Sequence, residues 1–95
     1  MTDILTLIKQ ADGGETSRTV FCDLRSIGQK EFYEASARDF YPEKKFVLAD
    51  YLEYEDEQLV EYDGRRYRVL RTFRAGQELE IVVTRASAEE GGVYE

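Results

Sequence analysis

Leu59-Val60-Glu61-Tyr62-Asp63-Gly64-Arg65-Arg66-Tyr67-Arg68-Val69-Leu70-Arg71-Thr72-Phe73 is the stretch whose reading decides the fold. Two runs rich in apolar, aromatic and β-branched residues flank a single Asp-Gly pair. Such side chains suit a pleated, half-buried surface. A two-residue type I′ turn needs positive φ at both central positions, which Asp tolerates and Gly adopts freely. The stretch therefore predicts a hairpin, with strand four over Leu59 to Tyr62 and strand five over Arg66 to Phe73.

Working outward, Ala75-Gly76 predicts a second turn and Glu78 to Thr84 a sixth strand. There Leu79, Ile81 and Val83 alternate inward while Glu78, Glu80 and Val82 face out. Towards the N-terminus, Lys45 to Tyr54 reads as the third strand, with Phe46, Leu48 and Asp50 opposite Val47, Ala49 and Tyr51. Thr19 to Ser26 reads as the second, with Val20, Cys22 and Leu24 on one face and Phe21, Asp23 and Arg25 on the other. Ile4 to Ile8 is a short apolar run, read as the first strand, with helix as the alternative because periodicity does not separate short runs. Gln10 to Ser17, which holds Asp12-Gly13-Gly14, reads as a mobile loop. Between strands two and three, Gly28 breaks the pattern. Lys30 to Arg38 is rich in Glu, Ala and basic residues, which predicts two or three helical turns ending before Pro42.

The expected fold is mainly β: a small six-stranded antiparallel β-barrel or sandwich, with one short α-helix between strands 2 and 3. At 95 residues the chain has length for one modest core, expected over 1–85, with 86–95 as a flexible tail. Its outermost strands need a solution, either closure into a barrel or pairing with a neighbouring subunit. No apolar run approaches the roughly 20 residues that cross a bilayer. No basic stretch followed by an apolar one marks a signal peptide, so synthesis in the cytoplasm is the expectation.

Candidate chemistry is sparse. Cys22 falls on the face expected to be buried, and a reactive thiolate needs an electropositive or base-bearing neighbourhood in a chain that has no histidine. Core packing is the reading. Histidine-based nucleophile systems and Cys/His zinc sets are excluded by the same count. Asp50, Glu53, Glu55, Asp56, Glu57 and Glu61 form an acidic cluster without the ligand spacing of a calcium loop. It reads as a solvated turn that also discourages edge-to-edge association. The sequence predicts no catalytic, cofactor or metal-binding residue and no enzymatic activity.

Charge is unevenly spread. The chain carries a net −7, yet residues 64–76 hold five arginines and no acid. Arg65, Arg66, Arg68, Arg71 and Arg74 are interleaved with Tyr67 and Phe73, a composition that also occurs on barrels that bind single strands. Strand parity puts Arg66, Arg68 and Arg74 on one face and Tyr67, Val69, Arg71 and Phe73 on the other. Aromatics packed in a core do not stack on bases. The stripe is therefore read as pairing with acidic residues within or between subunits, a candidate subunit interface. A small β-barrel single-stranded nucleic-acid-binding protein is the alternative.

The order and spacing of several pieces resemble the head–tail joining (head-closure, or stopper) proteins of long-tailed bacteriophages and prophages. The pieces are Val20-Phe21-Cys22-Asp23-Leu24-Arg25-Ser26, Glu31-Phe32-Tyr33-Glu34-Ala35, Phe46-Val47-Leu48 with Asp50-Tyr51, Tyr62 to Phe73, and Leu79-Glu80-Ile81. The resemblance covers roughly residues 4–85. It implies a small β-barrel with a helix-bearing excursion between its second and third strands. It also implies copies of the chain in a ring beneath the portal in the phage neck. That ring joins capsid to tail and helps close the DNA channel. The implied partners are portal or adaptor and tail proteins, with packaged DNA passing nearby without sequence-specific binding and no membrane involved. Assembly would take place in the bacterial host cytoplasm and end in the virion neck. By position, Gly28 to Glu43 would be the excursion facing the channel or a neighbour, with Gln29, Lys30, Glu31, Glu34, Arg38 and Asp39 as the channel-facing candidates.

Overall fold

A computed structural model of the chain describes residues 2–30, 33 and 41–86. Six strands run in the order β1 (Asp3–Ala11), β2 (Gly14–Arg25), β3 (Lys44–Leu48), β4 (Leu59–Tyr62), β5 (Arg65–Ala75) and β6 (Glu78–Arg85). They pair antiparallel in the circuit β1-β2-β3-β6-β5-β4, and β4 returns to β1 through Thr6↔Glu61, Leu7↔Val60 and Ile8↔Leu59. The sheet is a closed barrel, which leaves no strand without a partner on each side over at least part of its length.

Turn chemistry explains most of the circuit. Asp63 and Gly64 have φ of 53° and 80°, the pair of positive values a type I′ turn demands, and Tyr62 faces Arg65 across it. The β1–β2 hairpin is longer than expected. The loop read over Gln10 to Ser17 is instead ladder, with Gln10 opposite Glu15 and Ala11 opposite Gly14. Only Asp12 and Gly13 form the connection. Three polar or flexible residues in a row look like a loop, but two are enough to turn when pairing continues on both sides.

The third strand is shorter than its apolar run suggests. It stops at Leu48, and Tyr51–Glu53 forms a 3₁₀ turn. Asp50 causes the break: its Oδ1 accepts from the Leu52 N–H at 2.9 Å and from Gln77 Nε2 at 2.8 Å. A short carboxylate offering local bonds competes with the ladder. Between β2 and β3, Gln29, Lys30 and Tyr33 are helical. The remainder of the expected helix lies outside the described residues, as does the expected tail from residue 87 onward.

The barrel interior is a single cluster that includes Leu5, Leu7, Val20, Cys22, Phe46, Leu48, Val60, Tyr67, Leu79, Ile81 and Val83. Alternation on β6 is as expected, with Leu79, Ile81 and Val83 inward. Val47 and Val82 point outward yet are buried, which matches the unbroken apolar runs Phe46-Val47-Leu48 and Ile81-Val82-Val83.

β5 departs from simple parity. Val69 pairs with Val83 but Arg71 pairs with Val82, so a bulge intervenes at Leu70. One extra residue reverses every side chain beyond it. Tyr67 is buried as expected, whereas Phe73 and Arg71 face outward, and Arg74 takes the inward-facing register opposite Leu79. Phe73 is 61% exposed. The expectation that both aromatics of this strand pack inward holds for Tyr67 and fails for Phe73.

Candidate functional site

The two ends of the barrel differ. At one end, beside the Asp12-Gly13 turn, the segment 50–58 folds across the opening. Tyr51 and Tyr54 pack on the core cluster, and the Tyr51 N–H donates to the Gln77 carbonyl at 2.8 Å. Arg18 shares the inward parity of Val20 and Cys22 and reaches this segment from β2. Its guanidinium lies 3.1 Å from Glu57 Oε2 and also donates to the Glu53 carbonyl. Glu57 is 2% exposed, and its other oxygen accepts the Glu55 N–H at 2.7 Å. The Tyr54 hydroxyl donates to the Glu57 carbonyl, and burial, with Glu57 and Asp56 nearby, pushes that phenol up to about 12.

The acidic stretch is therefore only partly the solvated turn expected of it. Its central carboxylate is buried and ion-paired. Among the described residues no three Cys, Asp or Glu side chains are grouped as metal ligands would be. Cys22 is fully buried, and that burial, with Asp3 and Asp23 near, pushes its thiol up to about 11. Such a thiol is not a nucleophile at neutral pH.

At the other end, beside the Asp63-Gly64 turn, no segment among the described residues folds across the opening. A depression of about 330 Å³ is lined by Glu43, Lys44, Tyr62, Asp63, Arg65, Tyr67 and Arg85. Strand parity brings the cations together: Lys44 is two residues from inward Phe46, Arg65 two from Tyr67, and Arg85 two from Val83. Arg85 pairs with Glu43 at 3.2 Å. The Tyr62 hydroxyl donates to Asp3 Oδ1 at 3.3 Å, and its ring leans on Phe46 with centroids 5.0 Å apart. Burial and the Asp3 carboxylate raise the Tyr62 pKa above the usual phenol value.

The five arginines of the candidate interface are distributed over three places. Arg65 lines the depression at the Asp63-Gly64 end. Arg66, Arg68 and Arg71 stand on the outer wall of β5 with Phe73. Arg74 lies at the covered end, 3.5 Å above the Tyr51 ring, with its Nε donating to the Gly76 carbonyl at 2.9 Å. Arg66 is committed within the chain: it donates through both terminal nitrogens to the two oxygens of Glu15, each at 3.0 Å. This holds the Glu15 carboxyl below the usual carboxylate range. The bond crosses β1 and β4, because β2 and β5 are three places apart in the circuit.

Of the channel-facing candidates, Gln29 and Lys30 are exposed. Glu31, Glu34, Arg38 and Asp39 lie outside the described residues. Sequence reading missed Arg18, Lys44 and Arg85. The signal was present in their parity, since each continues the inward-facing register of its strand.

No protein-family model matches the chain, and no curated protein matches it.

Proposed function

We propose that the chain is a structural component of a phage or prophage head–tail connector, forming a ring that joins portal to tail and helps close the DNA channel. The sequence resemblance is the starting point. The observation that carries the reading is a closed six-stranded barrel whose second and third strands are linked by a long excursion entering a helix at Gln29. That is the architecture the resemblance implies. With the sheet closed, contacts with further copies, with portal or adaptor proteins and with tail proteins are assigned chiefly to side chains on the outer wall. The β5 wall, with Arg68, Arg71 and exposed Phe73, is the surface we assign to such a contact. The acidic remainder of the chain lets DNA pass nearby without sticking, through like-charge repulsion.

Electron microscopy of the chain mixed with portal and adaptor rings tests this reading. An added ring of density is expected, and its loss in the Arg68→Glu/Arg71→Glu variant. Absence of ring density, together with unchanged phage yield for the double variant, would overturn the proposal.

One observation favours a second reading. The bulge at Leu70 places Phe73 outward beside Arg71, and an exposed ring next to a guanidinium is what single-stranded nucleic acid uses for stacking and phosphate contact. Salt-dependent binding of oligonucleotides near physiological ionic strength, lost on Phe73→Ala, would move the assignment to that class.

A further inference from the structure

The mouth of the barrel beside the Asp63-Gly64 turn has a chemistry that the connector reading does not use. Three strands that pair with or neighbour one another each end there in an inward-pointing cation: Lys44 on β3, Arg65 on β5 and Arg85 on β6. One step further along the same strand faces lie Phe46, Tyr67 and Val83, all buried, so the depression backs onto the apolar core. Like charges gathered at one mouth repel, and an anion that joins them relieves this. Arg85 has Glu43. Among the described residues, no ion pair reaches Lys44 or Arg65.

We propose that this mouth, between Lys44, Arg65 and Arg85, binds the phosphate group of a small ligand. The depression of about 330 Å³ lies near the lower end of the roughly 300–1,000 Å³ typical of ligand sites, which also favour the mouths of β-barrels. A guanidinium and an ammonium lining one depression are the donor types that match the oxygens of a phosphate. The half-buried Tyr62 ring beside them offers an apolar face for an organic group attached to that phosphate. Glu43 and Asp63 on the rim leave the lining with a single net positive charge. That suits one phosphate and disfavours a polyanion, which would bring further charges against the rim. The site is therefore distinct from the β5 outer wall and independent of the connector reading.

Titration of the isotopically labelled chain with inorganic phosphate, thymidine monophosphate and thymidine, followed by amide NMR, tests this. Saturable shifts are expected for the two phosphates, clustered at 43–44, 62–67 and 85, and none for thymidine. Tighter binding of the monophosphate than of inorganic phosphate would identify an organic phosphate as the ligand, and equal binding a free phosphate. Lys44→Gln/Arg65→Gln is expected to weaken binding by at least about 10-fold, the equivalent of one charge-assisted hydrogen bond. Arg85→Gln, which frees Glu43 to enter the mouth, is expected to weaken it as well and serves if the double variant folds poorly. Arg68→Gln/Arg71→Gln removes the same charge from the outer wall and is expected to leave binding unchanged. Shifts that fail to saturate, or equal weakening by the mouth and outer-wall variants, would overturn the proposal.

Discussion

A carboxylate moved out of water is costly unless a cation and hydrogen bonds replace its hydration, and Glu57 shows how this chain meets that need. It accepts from Arg18 and from the Glu55 N–H, and so fastens the acidic segment over one end of the barrel. Breaking one half of such a pair leaves an uncompensated buried charge. Arg18→Leu is expected to lower stability by about 3 kcal/mol in urea denaturation. Glu57→Gln is expected to cost less, because the amide oxygen still accepts the Glu55 N–H. The double replacement Arg18→Leu/Glu57→Leu is expected to recover part of the loss. If Arg18→Leu melted like the parent chain, the segment would be held by Tyr51 and Tyr54 packing and by the bonds of Asp50 and Tyr51 to Gln77 instead. The sequence showed Arg18 on the Val20–Cys22 parity, but not which of several nearby carboxylates it would meet. That choice depends on where residues 50–58 cross the barrel.

At the scale of the element, β5 is two half-strands joined by a bulge. Before Leu70 its odd-numbered residues face the core, and beyond it the even-numbered ones take that side. Tyr67 and Phe73 therefore have opposite environments despite sharing a parity in sequence. Tyr67→Ala is expected to cost about 3–5 kcal/mol, the range for truncating a large buried ring. Phe73→Ala is expected to stay within about 0.5 kcal/mol of the parent, as surface changes do. Equal losses for the two, measured by chemical denaturation, would mean the register beyond Leu70 is not the one described. Nothing in Val69-Leu70-Arg71 announces the bulge, because Leu and Arg each fit either face of a strand. By contrast, the Asp63-Gly64 turn was legible, since few residue pairs accept positive φ twice in succession.

The barrel as a whole titrates with its buried acids. Cys22 and Tyr54 ionise near 9.0 and 10.0 when free but are raised to about 11 and about 12 in the folded chain, mainly by burial. The folded state thus holds these protons more tightly than the unfolded chain does. Their contribution is fully present below pH 9 and is lost as pH rises from about 9 towards 12. The melting temperature is expected to fall over that interval, and the fall is expected to be shallower in Cys22→Ala. A melting temperature that stays flat to pH 11 would show that neither group is as buried as described. Native Cys22 is expected to react with thiol reagents far more slowly at pH 8 than after unfolding, by about 100-fold from thiolate population alone.

Closure belongs to this same scale. Strand number, the Asp63-Gly64 and Ala75-Gly76 turns and the inward faces of β2 and β6 were readable from residue type, because alternation and turn chemistry are local properties of a few neighbouring side chains. The choice between barrel and sandwich was not. It rests on Thr6, Leu7 and Ile8 pairing with Glu61, Val60 and Leu59, a meeting of segments more than fifty residues apart. The Asp63-Gly64 hairpin was determined by the sequence alone, since its backbone conformation is intrinsic to those two residues. That this hairpin forms the rim of a cationic mouth was decided only by tertiary structure. Lys44, Arg65 and Arg85 come from three strands distant in sequence, and the pairing of β6 with both β3 and β5 brings them to one end of the barrel.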